Sequence, residues 1–385
     1  MPRILPLGWV AVCFVVFLYW MGLHIDSLGV YWVAGKVFVD GLDPYTYTAK
    51  YGPLSQFKYS PLFALGMAGL VKIEPTIVSI AIWALLGITA CVVGMLRWMD
   101  SSKRFTLALG LALLAGYIDM CNCLWANQSN ALVIGLSLIG LADYRDHRYS
   151  SAGLVLVLAT VLKVYPIVFL GGLALRGERA YLRSAMLGAI LAFSVPALFV
   201  GWKHNLATHI AWVQLLLHEV QSNGILDLRS ALQRVGMLNL ASRLPWVVAL
   251  VSAPLLIAVR FLPINQLRPW IALTCASVVL LSPKTEVFNF VFLAPAYTLM
   301  VLHCSEAPQQ SLRRYGVTFS VGLILLMIVS QFVIPNWMDS LAPLQVLRVL
   351  GALGFWLLSV TVMVQSLKPM LETCLANRSL TGGAN

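Results

Sequence analysis

Five places in this 385-residue chain carry polar side chains dense enough to do chemistry. The first is residues 24–61, with three carboxylates, three lysines and five tyrosines just past a long apolar run. It supplies Asp26, Tyr31, Asp40, Asp43-Pro44-Tyr45 and Lys58-Tyr59. The second is Asn127-Gln128-Ser129-Asn130 beside Trp125, and the third is Lys163 with Tyr165-Pro166. The fourth is Ser282-Pro283-Lys284-Thr285-Glu286, with Asn289 behind it; a weaker fifth set is Arg229, Ser230 and Arg234. A lone carboxylate such as Asp26 suits a general base that takes the proton of an acceptor hydroxyl. Cations converging from other segments suit a phosphate whose leaving charge needs stabilising. One carboxylate plus such cations is the minimum set for moving a sugar off a lipid phosphate. The logic is that of the inverting glycosidases, with a sugar or lipid hydroxyl in place of water.

Each constellation also has a plain structural reading. Gly41 and Asp43-Pro44 are turn chemistry, which favours an architectural role for Asp43 over a direct catalytic one. The amides at 127–130 could cap a helix or bond between helices as readily as they bind a ligand. Trp125 and the tyrosines suit an interfacial belt, and the spacing of His24, His204, His209 and His218 does not suggest a metal. Asp26 and Lys163 resist the plain reading most, because ionisable groups at membrane depth are costly and functional by default.

The elements that must position these residues are membrane helices. Apolar residues make up 60% of the chain and charged ones 11%, with a mean hydropathy of +0.84, whereas soluble domains are about a quarter charged. Runs at 5–23, 77–95, 317–334 and 346–364 are long enough for a hydrocarbon core that needs about 20 residues. The first follows Arg3, lacks a small-residue cleavage site, and reads as a retained signal-anchor with a cytoplasmic N-terminus. The net charge of +11 sits in short loops, at Arg97/Lys103/Arg104, Arg145/Arg148, Arg176/Arg179/Arg183 and Arg313/Arg314. That is the positive-inside pattern, so nucleic acid is not the expected partner. The seven cysteines show no metal spacing and predict no disulfide framework.

The pattern predicts a single all-α integral membrane domain over 1–385, with about 11–13 membrane helices including short or re-entrant ones. Residues 24–60 are expected as the first external loop and 367–385 as a cytoplasmic tail. Residues 152–175 lie between two basic loops and are expected to enter and return as a hairpin turning at 163–166. A lysine and a proline at that depth need a protein-walled or watery cavity. Between 61 and 143 the crossings fail to balance by one, so one of four apolar segments must be re-entrant or interfacial. The 97–104 loop could fall on either side.

With these residues in order, the chain resembles glycosyltransferase family 87. The likeness is carried by Asp26, Tyr31, Gly41-Leu42-Asp43-Pro44-Tyr45 and Phe57-Lys58-Tyr59-Ser60-Pro61. It continues through Asn127-Gln128-Ser129-Asn130, Lys163-Val164-Tyr165-Pro166 and Ser282-Pro283, and so spans most of 26–295. The resemblance implies a C-type glycosyltransferase fold and a polyprenyl-phosphate sugar donor used at the outer face of the cytoplasmic membrane. It also implies a lipid or glycan acceptor, and Asp26 as the base. The donor sugar expected is mannose or another hexose or pentose. The donor-phosphate role maps onto Lys163, with Lys58, Arg229 and Lys284 as further candidates. Tyr31, Asp43, Tyr45, Tyr59, Asn127, Gln128, Asn130 and Glu286 complete the expected substrate site. No Asp-x-Asp pair is present, which predicts a metal-independent reaction without a cofactor. The alternative is a transporter or flippase of a lipid-linked sugar, with Asp26, Lys163 and Glu286 lining a path. That reading calls for a two-fold repeat of broken helices, which the sequence does not show.

Overall fold

The computed structural model describes residues 26–50, 56–73, 76–99, 107–219, 228–282, 287–307, 309–332 and 342–381. The described residues are helical almost throughout. In chain order they form α1 (Asp26–Val39), α2 (Pro44–Ala49), α3 (Pro61–Leu70), α4 (Thr76–Trp98), α5 (Leu107–Trp125) and α6 (Asn130–Arg145). Then come α7 (Tyr149–Leu162), α8 (Ile167–Ala174), α9 (Arg179–Val200), α10 (Trp202–Glu219) and α11 (Leu228–Arg234). The last are α12 (Leu238–Ile257), α13 (Leu267–Leu281), a 3-10 turn (Val287–Phe292), α14 (Leu293–Glu306), α15 (Val317–Phe332) and α16 (Ala342–Thr381). Four stretches, Ile77–Trp98, Arg179–Val200, Leu238–Arg260 and Val346–Lys368, are long and apolar enough to cross a membrane unaided. The chain is therefore a multi-pass α-helical membrane protein.

Helices α4 and α6 run parallel, and their register is visible along their length. Trp83 donates its indole N–H to the carbonyl of Asn127 at 3.1 Å, and Trp98 donates to that of Leu138 at 3.0 Å. Gly87 faces Ala131, and a side chain at Gly94 would lie 2.8 Å from the Gly135 carbonyl. A side chain at Gly135 would in turn collide with the backbone of Ala90 and Cys91. The two backbones touch, as small residues permit between packed membrane helices.

This register sets the relative directions of the helices between 76 and 145. At the end where α4 and α6 finish, Arg97 pairs with Asp143 at 2.5 Å; we call this the basic end. Parallel helices in one chain require α5 to return between them, so α4, α5 and α6 alternate in direction. The shortest of the four segments is α3, whose 10 residues span only about 15 Å of a roughly 30 Å hydrocarbon core. The Arg97 side chain thus joins Arg145 at the same end. Arg176 and Arg268 lie there too: the Arg176 guanidinium is 5.9 Å from the Tyr144 ring centroid, and Arg268 donates to the Trp98 carbonyl at 3.4 Å.

Two other segments gain secondary structure. Much of residues 24–60, expected as a loop, is helical, as α1 and α2. Leu28, Tyr31, Ala34 and Phe38 form a buried stripe at helical spacing. Gly35 lets α1 approach α3 so closely that a side chain there would lie 2.8 Å from the Ala64 carbonyl. Residues 367–381, expected as part of a tail, are helical and form the end of α16, a helix of 40 residues. The hairpin expected at 152–175 is present as α7, a turn at 163–166, and α8.

Candidate functional site

The site lies at the end opposite the basic one, where α5 finishes, α6 begins and α7 turns into α8. Lys163 is the C-cap of α7 and has extended backbone, φ −158° and ψ 136°. That break in the helix leaves its side chain projecting between neighbouring elements. The ammonium donates to Asn130 Oδ1 at 2.6 Å and to Asn289 Oδ1 at 3.4 Å, while Asn130 Nδ2 donates to Asn289 Oδ1 at 3.1 Å. Asn130, the first residue of α6, is fully buried and Asn289 nearly so. Tyr165 shares a 2.9 Å hydrogen bond with Ser282, and its ring centroid lies 5.3 Å from the Lys163 ammonium. Three separate stretches of chain therefore meet around one cation.

A second group ties α1 and α3 to the same place. The hydroxyls of Tyr31 and Tyr59 are 2.7 Å apart, and Tyr31 also donates to Gln128 Oε1 at 3.4 Å. Tyr31 is buried edge-on against Tyr59, Phe63 and Trp83. Gln128 is two residues from Asn130, so the tyrosine pair and the Lys163 cluster share one short connection. Asn127 makes that connection turn sharply by adopting φ 52°, a left-handed conformation that Asn tolerates better than most residues.

Asp26 is the first residue of α1, five positions ahead of Tyr31. Its helix is thus anchored in the cluster. Asp43 is architectural: it caps α2, accepting from the backbone N–H of Tyr45 at 3.0 Å and Thr46 at 3.2 Å, with Pro44 opening the helix. Tyr45 is buried and donates to the Tyr59 carbonyl at 2.8 Å. Burial, and then the Asp43 charge, push its hydroxyl well above the usual tyrosine range, so it stays a neutral donor. Lys58 is half-buried, and its carbonyl accepts from Trp212 of α10 at 3.1 Å. Arg229 is exposed on α11, which packs on α12 and α16 rather than on α6 and α7, so the structure does not bring it to Lys163. Lys284 and Glu286 lie outside the described residues.

An apolar groove of about 400 Å³ opens beside the cluster, lined by Phe63, Met67, Trp83, Leu158, Val161 and Leu162. Its wall ends at the residue preceding Lys163. Among the described residues, no three His, Cys, Asp or Glu side chains gather into a set that could hold a metal ion.

Sequence reasoning gave Asn289 no role, although an amide just inside an apolar segment was the available signal. It also passed over Asp119 and Arg348, a buried ion pair of 2.6 Å between α5 and α16. Each stands alone in an apolar run, and intramembrane charge was the signal for both.

Comparison with known proteins adds a family. Residues 57–283, more than half of the chain, match glycosyltransferase family 87. Among solved structures, the chain is similar to ArnT from Cupriavidus metallidurans bound to undecaprenyl phosphate. The identity is 14%, the coverage 94% of this chain and 77% of that one, and the TM-score 0.38. No curated protein matches the chain.

Proposed function

Because the chain belongs to glycosyltransferase family 87, we propose that it moves a sugar from a polyprenyl-phosphate donor to the hydroxyl of a lipid-linked or glycan acceptor. The reading also draws on the expected orientation. The basic end faces the cytoplasm by the positive-inside rule, which sets the Lys163 end at the outer face of the cytoplasmic membrane. The observation that carries the proposal is the Lys163 ammonium, held inside an apolar bundle by Asn130 and Asn289 from two other segments. An ionisable group at membrane depth is costly and functional by default, and a lipid phosphate is an anion that a membrane brings to that depth.

In this mechanism the acceptor hydroxyl oxygen attacks the anomeric carbon from the face opposite the phosphate. The bond from that carbon to the phosphate oxygen breaks with its electron pair, and the configuration inverts. Asp26 takes the hydroxyl proton, while Lys163 stabilises the charge on the departing polyprenyl phosphate. Asn130 and Asn289 orient the ammonium through two amide oxygens. Tyr31, Tyr59 and Gln128 fix α1, and with it Asp26, relative to that cation. The apolar groove beside Lys163 suits the isoprenoid chain, and the donor sugar is mannose or another hexose or pentose. No step calls for a metal or a cofactor.

The test is transfer from radiolabelled polyprenyl-phosphate sugars to a lipid extract by the purified protein. Asp26→Asn is expected to stay folded and to lose between about 10²- and 10⁴-fold in turnover, the usual weight of a general base. Turnover near that of the parent would remove Asp26 from the chemistry.

A further inference from the structure

The ion pair between Asp119 of α5 and Arg348 of α16 joins residues 229 positions apart. Its side chains are 1% and 5% exposed. A pair this deep gains little over apolar residues of the same volume, because both charges must be stripped of solvent. In a membrane bundle such a pair calls for a role beyond stability. Its surroundings indicate one. The Arg348 guanidinium lies 4.6 Å from the ring centroid of Phe290, within cation–π range. Phe290 is fully buried and directly follows Asn289, the residue that accepts from Lys163. Both belong to the 3-10 turn Val287–Phe292, which packs on α5, α6 and α13. Such turns have poorer hydrogen-bond geometry than an α-helix and depend more on what surrounds them.

We propose that Asp119 and Arg348 are positioning residues for the Lys163 site. Asp119 fixes the guanidinium, the guanidinium fixes Phe290, and Phe290 sets the 3-10 turn that presents Asn289 to the ammonium. The inference rests on Lys163 being the cation that meets the donor phosphate. It makes the C-terminal helix, which contributes no group to the reaction, a determinant of donor use.

Two variants test it. Asp119→Leu with Arg348→Met removes both charges at similar volume, and Arg348→Lys keeps the charge but loses the planar contact with Phe290. Each is purified and measured for donor and acceptor kinetics, for melting temperature, and for the rate of amine labelling at Lys163 by mass spectrometry. The exposed Lys72 and Lys203 serve as references. The double variant is expected to melt within a few degrees of the parent. Its kcat/KM for donor should fall between about 10- and 100-fold, the cost of a displaced positioning contact, with acceptor KM unchanged. Lys163 should label faster relative to the two references. Arg348→Lys should fall between parent and double variant, and it carries the test alone if the double variant does not fold. Parent-like donor kinetics together with parent-like labelling of Lys163 would overturn the proposal. If the unmodified protein transfers no sugar from any polyprenyl phosphate, the functional reading fails, and the labelling ratio alone decides the positioning claim.

Discussion

At the basic end of the bundle, two carboxylates and three guanidiniums lock together; at the other, one ammonium is held by two side-chain amides. Asp143, nearly buried, takes Arg97 at 2.5 Å, Arg148 at 2.8 Å and the Ser151 hydroxyl at 2.6 Å. Asp146 takes Arg97 at 2.7 Å and Arg145 at 2.9 Å, and the Arg145 guanidinium lies 4.6 Å from the Trp98 ring centroid. That network matches charge with charge and ties the ends of α4 and α6 to each other. At the Lys163 end, Asn130 and Asn289 satisfy hydrogen bonds and fix direction but contribute no opposing charge. Charge matched by charge suits a structural clasp, and an ammonium aimed by two amides suits a site that meets a lipid phosphate.

The comparison can be broken at either end. Lys163→Met should lower kcat/KM for a polyprenyl-phosphate donor by about 100-fold or more, the usual weight of a preorganised stabilising group, and leave the melting temperature close to that of the parent. Lys163→Arg should recover part of the loss, since the wider guanidinium keeps the charge but not the fit between two amides. A full rate in Lys163→Met would reduce the polar end to architecture. Asp143→Asn should do the reverse. It should lower stability by about 1–3 kcal/mol, because two guanidiniums lose their buried counter-charge, while turnover per folded molecule holds. Lost turnover without lost stability in that variant would erase the contrast.

The smallest effect is a dependence on acidity. Burial raises the Asp146 carboxyl, but hydrogen bonds and charge from Arg145 and Arg97 outweigh it and hold the group below its ordinary value. Its contribution to stability is therefore full above the ordinary carboxylate value of about 3.9 and fades as pH falls through the lower folded value. Melting curves collected downward from neutral pH should show a shallower acid limb for Asp146→Asn than for the parent. Superimposable limbs would take Asp146 out of the clasp.

The parts legible in the sequence were those encoded locally. Asp43-Pro44 announced a turn, which the structure refines into the cap and opening proline of α2, and Lys163 to Pro166 announced a hairpin because two basic loops bracket it. The amides at 127–130 and Lys163 were visible as separate constellations, but nothing in the spacing joined them, since Asn130 and Lys163 meet only through the packing of α6 and α7. The α1 stripe of Leu28, Tyr31, Ala34 and Phe38 was hidden among aspartates, glycines and tyrosines that read as loop. Asp119 and Arg348 were harder still, because a buried pair is a property of two distant segments and neither alone specifies its partner.

The contact between Gly94 and Gly135 has a consequence for how this chain can change over time. Side chains can repack, but two backbones in contact offer nothing to trim and no room to add. The offset of α4 against α6 is thereby a fixed rule of measure running from the arginine clasp toward the amide-held lysine. Descendants of this sequence can alter the chemistry at either end, or exchange one sugar for another, while the span between the ends stays the same. Mutational tolerance should accordingly be lowest at two glycines that touch no substrate.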